Sequence, residues 1–137
     1  MKKVGIWIDK REAKIISIED RNEHLKTIVS GIEEFHVSGG SGTSSKGGPQ
    51  DVVQDRKYLE REKHQLAEFF KDIVISINDA DALIIFGPAQ TGEKLKNELL
   101  EKHSLLYNKI KSVEKTDNMT ENQIMARVRD YFSDKKN

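Results

Sequence analysis

The sequence predicts a single-domain α/β fold, a mixed five-stranded sheet carrying three helices in the order β-β-β-α-β-α-β-α. Three observations lead there. The N-terminal part is made of short alternating apolar runs joined by polar turns, the pattern of an antiparallel meander. A long stretch with apolar residues at three- and four-residue steps follows, the pattern of an amphipathic helix. Beyond it, strand and helix patterns alternate, which argues for one mixed sheet with helices against it. The 137 residues suffice for one ordinary core.

Residues 3–9 form the first predicted strand, with Val4, Ile6 and Ile8 on one face and Gly5, Trp7 and Asp9 on the other. Lys10-Arg11-Glu12 turns the chain into a second strand, residues 13–19, with Ile15, Ile16 and Ile18. Asp20-Arg21-Asn22 turns it again into residues 24–30, with Leu25, Ile28 and Val29, and residues 32–37 extend or bend this sheet. Composition then changes. Residues 38–50 hold five glycines and four serines in thirteen positions, cannot bury an apolar face, and are expected to be a mobile loop.

A helix over residues 53–77 follows. Leu59, Leu66, Phe69, Phe70, Ile73 and Ile77 form its stripe, which is dense only from Leu66 onward. Its first turns carry Arg56, Lys57, Glu60, Arg61, Glu62, Lys63 and His64, so that half is expected to project into solvent and carry the loop outward. Residues 82–86 are continuously apolar, as in a strand buried on both faces. Gly87-Pro88 turns into a helix over 89–102 with Leu95, Leu99 and Leu100 inward, and residues 109–114 form the fifth strand. Thr120 with Gln123 fits a capping box opening a last helix that turns Ile124, Val128 and Phe132 inward.

Several chemistries are disfavoured. Without cysteine there is no disulfide or thiolate metal site, and a reducing, cytoplasmic setting is expected. Lys plus Arg balance Asp plus Glu at 23 each, which does not indicate a globally basic nucleic-acid binder but leaves room for a local basic patch. The opening apolar run is too short for a signal peptide, and no stretch approaches the ~20 apolar residues of a membrane span. His24, His36, His64 and His103 are scattered, with no zinc spacing, and no cofactor site is expected.

Three constellations have a bland alternative. Asp9 with Asp79, Asp81 and Glu93 would serve a two-metal nuclease only if they converged; otherwise Asp9 caps the N–H groups of Arg11 or Glu12. The strand-turn-helix run 84–94, Ile84 to Lys94, offers free N–H groups to an anion, although it lacks a nucleotide-binding glycine pattern, and Pro88 or Thr91 otherwise serves the helix start. Trp7 with Phe35 and Tyr58 would make a base-stacking surface unless a helix covers Trp7.

In this order, the motifs resemble the middle domain of the eukaryotic and archaeal peptide-chain release factor and of its relative Pelota. The resemblance runs from Trp7 to Phe132 and rests on Lys46-Gly47-Gly48-Pro49-Gln50, Leu59-Glu60-Arg61-Glu62-Lys63-His64 and Ala82-Leu83-Ile84-Ile85-Phe86-Gly87-Pro88. The opening Gly5-Ile6-Trp7-Ile8-Asp9-Lys10-Arg11-Glu12-Ala13 is similar to that of free-standing bacterial proteins made of this domain alone. The resemblance implies a ribonuclease-H-like topology and a family chemistry, hydrolysis of peptidyl-tRNA by a loop bearing Gly-Gly-Gln. Gly47 and Gly48 match that motif; Gln50 matches only across Pro49, which fixes φ, removes an N–H and displaces Gln50 by one residue. The length leaves no room for a codon-reading or partner-binding domain.

The first functional expectation is therefore a ribosome- or tRNA-associated module with weak or no hydrolytic activity, Lys46, Arg56, Lys57, Arg61 and Lys63 contacting RNA. The second is a peptidyl-tRNA or other ester hydrolase using Gln50 with Gly47 and Gly48. The third is a non-enzymatic protein–protein adaptor in which the loop is a spacer.

Overall fold

The computed structural model describes residues 1–32, 48–88 and 90–133, and of residues 48–58 the backbone alone. Alternating β-branched residues place β1 (Lys2–Ile8), β2 (Glu12–Glu19) and β3 (Asn22–Val29) as an antiparallel meander. A 30-residue helix, α1 (Gly48–Ile77), returns the chain to β4 (Ala82–Gly87). Then come α2 (Thr91–Lys102), a single turn α3 (Ser104–Tyr107), β5 (Ile110–Lys115) and α4 (Glu121–Ser133). The sheet order is β3-β2-β1-β4-β5, with β1, β4 and β5 mutually parallel. This is the mixed five-stranded sheet the pattern predicts.

Both faces of the sheet are covered. On one, Val4, Ile6, Ile8, Leu83 and Ile85 meet Phe69, Phe70, Ile73 and Ile77 of α1, Leu95 and Leu99 of α2, and Leu106 of α3. On the other, Trp7, Ile16, Ile84 and Phe86 lie under Ile124, Val128 and Phe132 of α4. That explains the two strand patterns: β4 is buried along its whole length, whereas the edge strand β3 buries only Ile28. The α4 start is a reciprocal capping box, Thr120 N–H donating to Gln123 Oε1 at 2.9 Å and Gln123 N–H to Thr120 Oγ1 at 3.2 Å.

Two boundaries differ from expectation. The long helix begins at Gly48 rather than 53, so Gly48, Pro49 and Gln50 form its first turn. Proline suits that position, where its missing N–H would have no acceptor and its φ is already helical. The helix expected over 89–102 starts at Thr91, and after it the chain breaks at His103, φ −140°, before the extra turn α3. Residues 33–47, which carry the proposed sheet extension and most of the glycine-rich segment, lie outside the described residues, as do Phe35 and the side chain of Tyr58.

A lysine-lined cleft at the carboxyl edge of the sheet

Because β1, β4 and β5 are parallel, Ile8, Gly87 and Lys115 end at one edge of the sheet. Crevices at such carboxyl edges are where open α/β sheets bind ligands. The turn after β1 is fixed by Asp9, whose Oδ1 accepts from the N–H of Arg11 at 2.8 Å and of Glu12 at 2.9 Å. Its role is the cap, and among the described residues it has no acidic partner there. Asp79 and Asp81 belong to the opposite edge, where both bind Lys2, and Glu93 pairs with Lys96 at 3.2 Å. The hydrogen bond from Lys2 Nζ holds the Asp79 carboxyl below the usual carboxylate range.

Two glycines bring backbone to this edge. A Cβ on Gly87 would stand 2.0 Å from the carbonyl oxygen of Ile8, so the end of β4 reaches β1 only because the side chain is missing. A Cβ on Gly92 would stand 3.2 Å from Ile85 Cγ2, so α2 starts close against the sheet. Gln90 caps this helix without a side-chain hydrogen bond, and neither Pro88 nor Thr91 supplies one. Lys94 N–H bonds Gln90 C=O at 3.1 Å, leaving the N–H groups of Thr91, Gly92 and Glu93 ahead of the first intrahelical bond.

The opposite wall is α1, through Leu59, Glu62, Lys63 and Leu66. Between the walls is a cleft of about 760 Å³ that Lys10, Lys94, Lys115, Pro88 and Thr91 also line. Lys10 and Glu62 form an ion pair that ties the β1–β2 turn to α1. Lys63, Lys94 and Lys115 make no ion pair among the described residues. Among the described residues that line the cleft, four lysines stand against one glutamate, and Leu59, Leu66 and Pro88 add apolar surface.

The sequence-predicted site is only partly in view. Lys46 and Gly47 lie outside the described residues; Gly48 and Gln50 are in the first turn of α1, and Arg56 and Lys57 are in α1, with only their backbone described. Arg61 and Lys63 are exposed on α1, and Lys63 faces the cleft. Gln50 stands nine residues before Leu59, about 13 Å along the helix axis. The charged half of α1 therefore does not stand entirely free: one side of it walls the cleft. Sequence reasoning missed Lys10, Lys94 and Lys115, which come from three separate segments. The strand-turn-helix run around Gly87 and Thr91 was the signal for the place but not for the lysines. Trp7 is 4% exposed and gives no stacking surface.

No protein-family model matches the sequence, and no curated protein matches it. In fold the chain is similar to part of two archaeal Pelota proteins. Pelota of Archaeoglobus fulgidus is similar over 98% of this chain and 32% of its own, at a TM-score of 0.59 and 12% identity. Pelota of Thermoplasma acidophilum is similar over 93% and 31%, at a TM-score of 0.55 and 16% identity. An archaeal translation termination factor matches 98% of this chain and 40% of its own at a TM-score of 0.48 and 10% identity. The chain thus spans about a third of the length of the Pelota chains it resembles. Among the described residues no helix is long and apolar enough to cross a membrane.

Proposed function

We propose that this chain is a ribosome- or tRNA-associated module of the translation machinery that presents residues 38–50 from the head of α1, with weak or no hydrolytic activity. The observation that carries this is the build of α1. Phe69, Phe70, Ile73 and Ile77 fix its last turns in the core, while Leu59, Glu60, Arg61, Lys63 and His64 are exposed and Gly48 to Gln50 form its far end. A helix held through its last turns and at Glu62, with Gly48 to Gln50 beyond, is a rod about 45 Å long, suited to delivering a glycine-rich segment to a distant site. The Pelota-like fold and the motif order support the translation setting. Pro49 supports the weak-chemistry half: it removes one N–H donor beside Gln50, and catalytic groups displaced by about 1 Å lose activity by ~10²-fold.

The test is co-sedimentation with purified ribosomes across a salt series, comparing the parent chain with a variant lacking residues 38–50. Binding at low salt that weakens on deletion is expected. A chain that stays in the supernatant at low salt refutes the proposal. A release assay on peptidyl-tRNA, with Gln50→Ala as the control, measures the chemistry; robust Gln50-dependent release would refute the weak-chemistry half.

A further inference from the structure

We propose that the cleft at the carboxyl edge of the sheet is a binding site for a phosphate ester, with the phosphate on the N-terminus of α2. It concerns a different part of the molecule from residues 38–50, although Lys63 is shared with the RNA-contacting residues expected from the sequence.

Four observations converge on it. First, the N–H groups of Thr91, Gly92 and Glu93 precede the first intrahelical bond of a 12-residue helix and carry its positive end. Second, Thr91 is 6% exposed, lines the cleft, and its hydroxyl makes no hydrogen bond among the described residues. The hydroxyl opens onto the cleft, where it is free to donate to a phosphate oxygen. Third, Lys63 and Lys94 face the same space from opposite walls with no carboxylate partner among the described residues, and Lys115 completes the ring from the end of β5. Lysines from α1, α2 and β5 gathered around one cleft repel each other, a cost that a bound dianion reverses. Fourth, the glycines at 87 and 92 let backbone approach this edge as side chains could not.

The remaining space has the size of a small-ligand pocket, for which 300–1,000 Å³ is usual. Leu59, Leu66 and Pro88 give it an apolar side against which a base or sugar can rest. Glu93 does not oppose the anion from within, since it is exposed and paired with Lys96. Glu62 is held by Lys10. The shared chemistry is a phosphate ester, whether of a free mononucleotide or of an RNA chain.

The experiment is an amide-resolved NMR titration of the full chain with a 5′-mononucleotide and, separately, with a short single-stranded RNA. The expected result is movement of the Thr91, Gly92 and Glu93 amides with at least one titrant, and affinity about tenfold or more weaker in Lys63→Gln/Lys94→Gln. Thr91→Val is expected to weaken binding as well. Tighter binding of RNA with a steep salt dependence assigns the phosphate to a nucleic-acid backbone. Tighter binding of the mononucleotide assigns it to a small ligand. Lys63 and Lys94 are exposed, Thr91→Val keeps the shape of a buried side chain, and unchanged spectra elsewhere establish that the variants fold. Static Thr91–Glu93 amides with both titrants, or undiminished binding in Lys63→Gln/Lys94→Gln, overturn the proposal.

Discussion

Gly5 sits in the central strand β1 directly beneath α4, and replacing it tests how tightly that helix is seated. A Cβ there would stand 2.3 Å from Val128 Cγ2, 2.9 Å from Cγ1 and 3.1 Å from Cβ. Carbon atoms prefer about 3.5–4.0 Å, so α4 would have to retreat by more than about 1 Å at this point. A valine in a helix has one strongly preferred χ1 rotamer, so rotating out of the way is costly too. Overfilling of this kind costs about 1–3 kcal/mol, while alanine in a strand regains about 0.5–1 kcal/mol over glycine. Gly5→Ala is therefore expected to lose about 1–2 kcal/mol. Val128→Ala removes both offending methyls and costs about 1.6 kcal/mol by itself. In that background Gly5→Ala should be close to neutral, so the two changes couple favourably by about 1–2 kcal/mol. Urea unfolding followed by the emission of Trp7, the one tryptophan, reads this directly, because Trp7 belongs to the same cluster under α4. An equal loss from Gly5→Ala in both backgrounds would show that α4 is not seated on Gly5.

Two further outcomes follow from the same structure. Gly87→Ala meets backbone rather than side chain, with Ile8 O at 2.0 Å, C at 3.0 Å and N at 3.1 Å. It is expected to cost about 3 kcal/mol or more, and Ile8→Ala should not rescue it, since the obstacle stays in place; urea midpoints of the two variants and their combination check this. Acid should weaken two ion pairs. The hydrogen bond from Arg129 holds the Glu23 carboxyl below its ordinary value, and Lys2 does the same for Asp79. A carboxyl depressed in the folded state contributes above its unfolded pKa and loses that contribution as pH falls through the folded one. Glu23→Gln/Asp79→Asn should accordingly lose less stability than the parent between about pH 6 and about pH 3. Both pairs are largely exposed, so the difference is small and shrinks in high salt; parallel curves in urea titrations would contradict it.

Much of the fold was legible because it depends on local order. Period-two apolar runs gave the meander, the Leu66–Ile77 stripe gave the buried half of α1, and Thr120 with Gln123 marked the start of α4 to the residue. Each signal is a matter of neighbours three or four positions apart. The one-turn α3 was not legible, since Ser104–Tyr107 carries no pattern of its own and forms where the chain crosses from α2 to β5. Nor was the edge position of β3, which leaves only Ile28 of Leu25, Ile28 and Val29 buried.

The candidate site divides in the same way. Local order was enough to place backbone N–H groups after β4, because Gly87, Pro88 and Gly92 turn the chain into a helix. It also determined that Asp9 would cap its own turn. The company those groups keep follows from how the whole chain packs. Lys10, Lys63, Lys94 and Lys115 are spread over more than a hundred residues, and no spacing rule connects them. They meet because parallel β1, β4 and β5 deliver their ends to one edge and α1 lies across it. Strand order is set by which apolar faces can be buried together, a property of the whole chain, and the charge of the cleft is a consequence of that order.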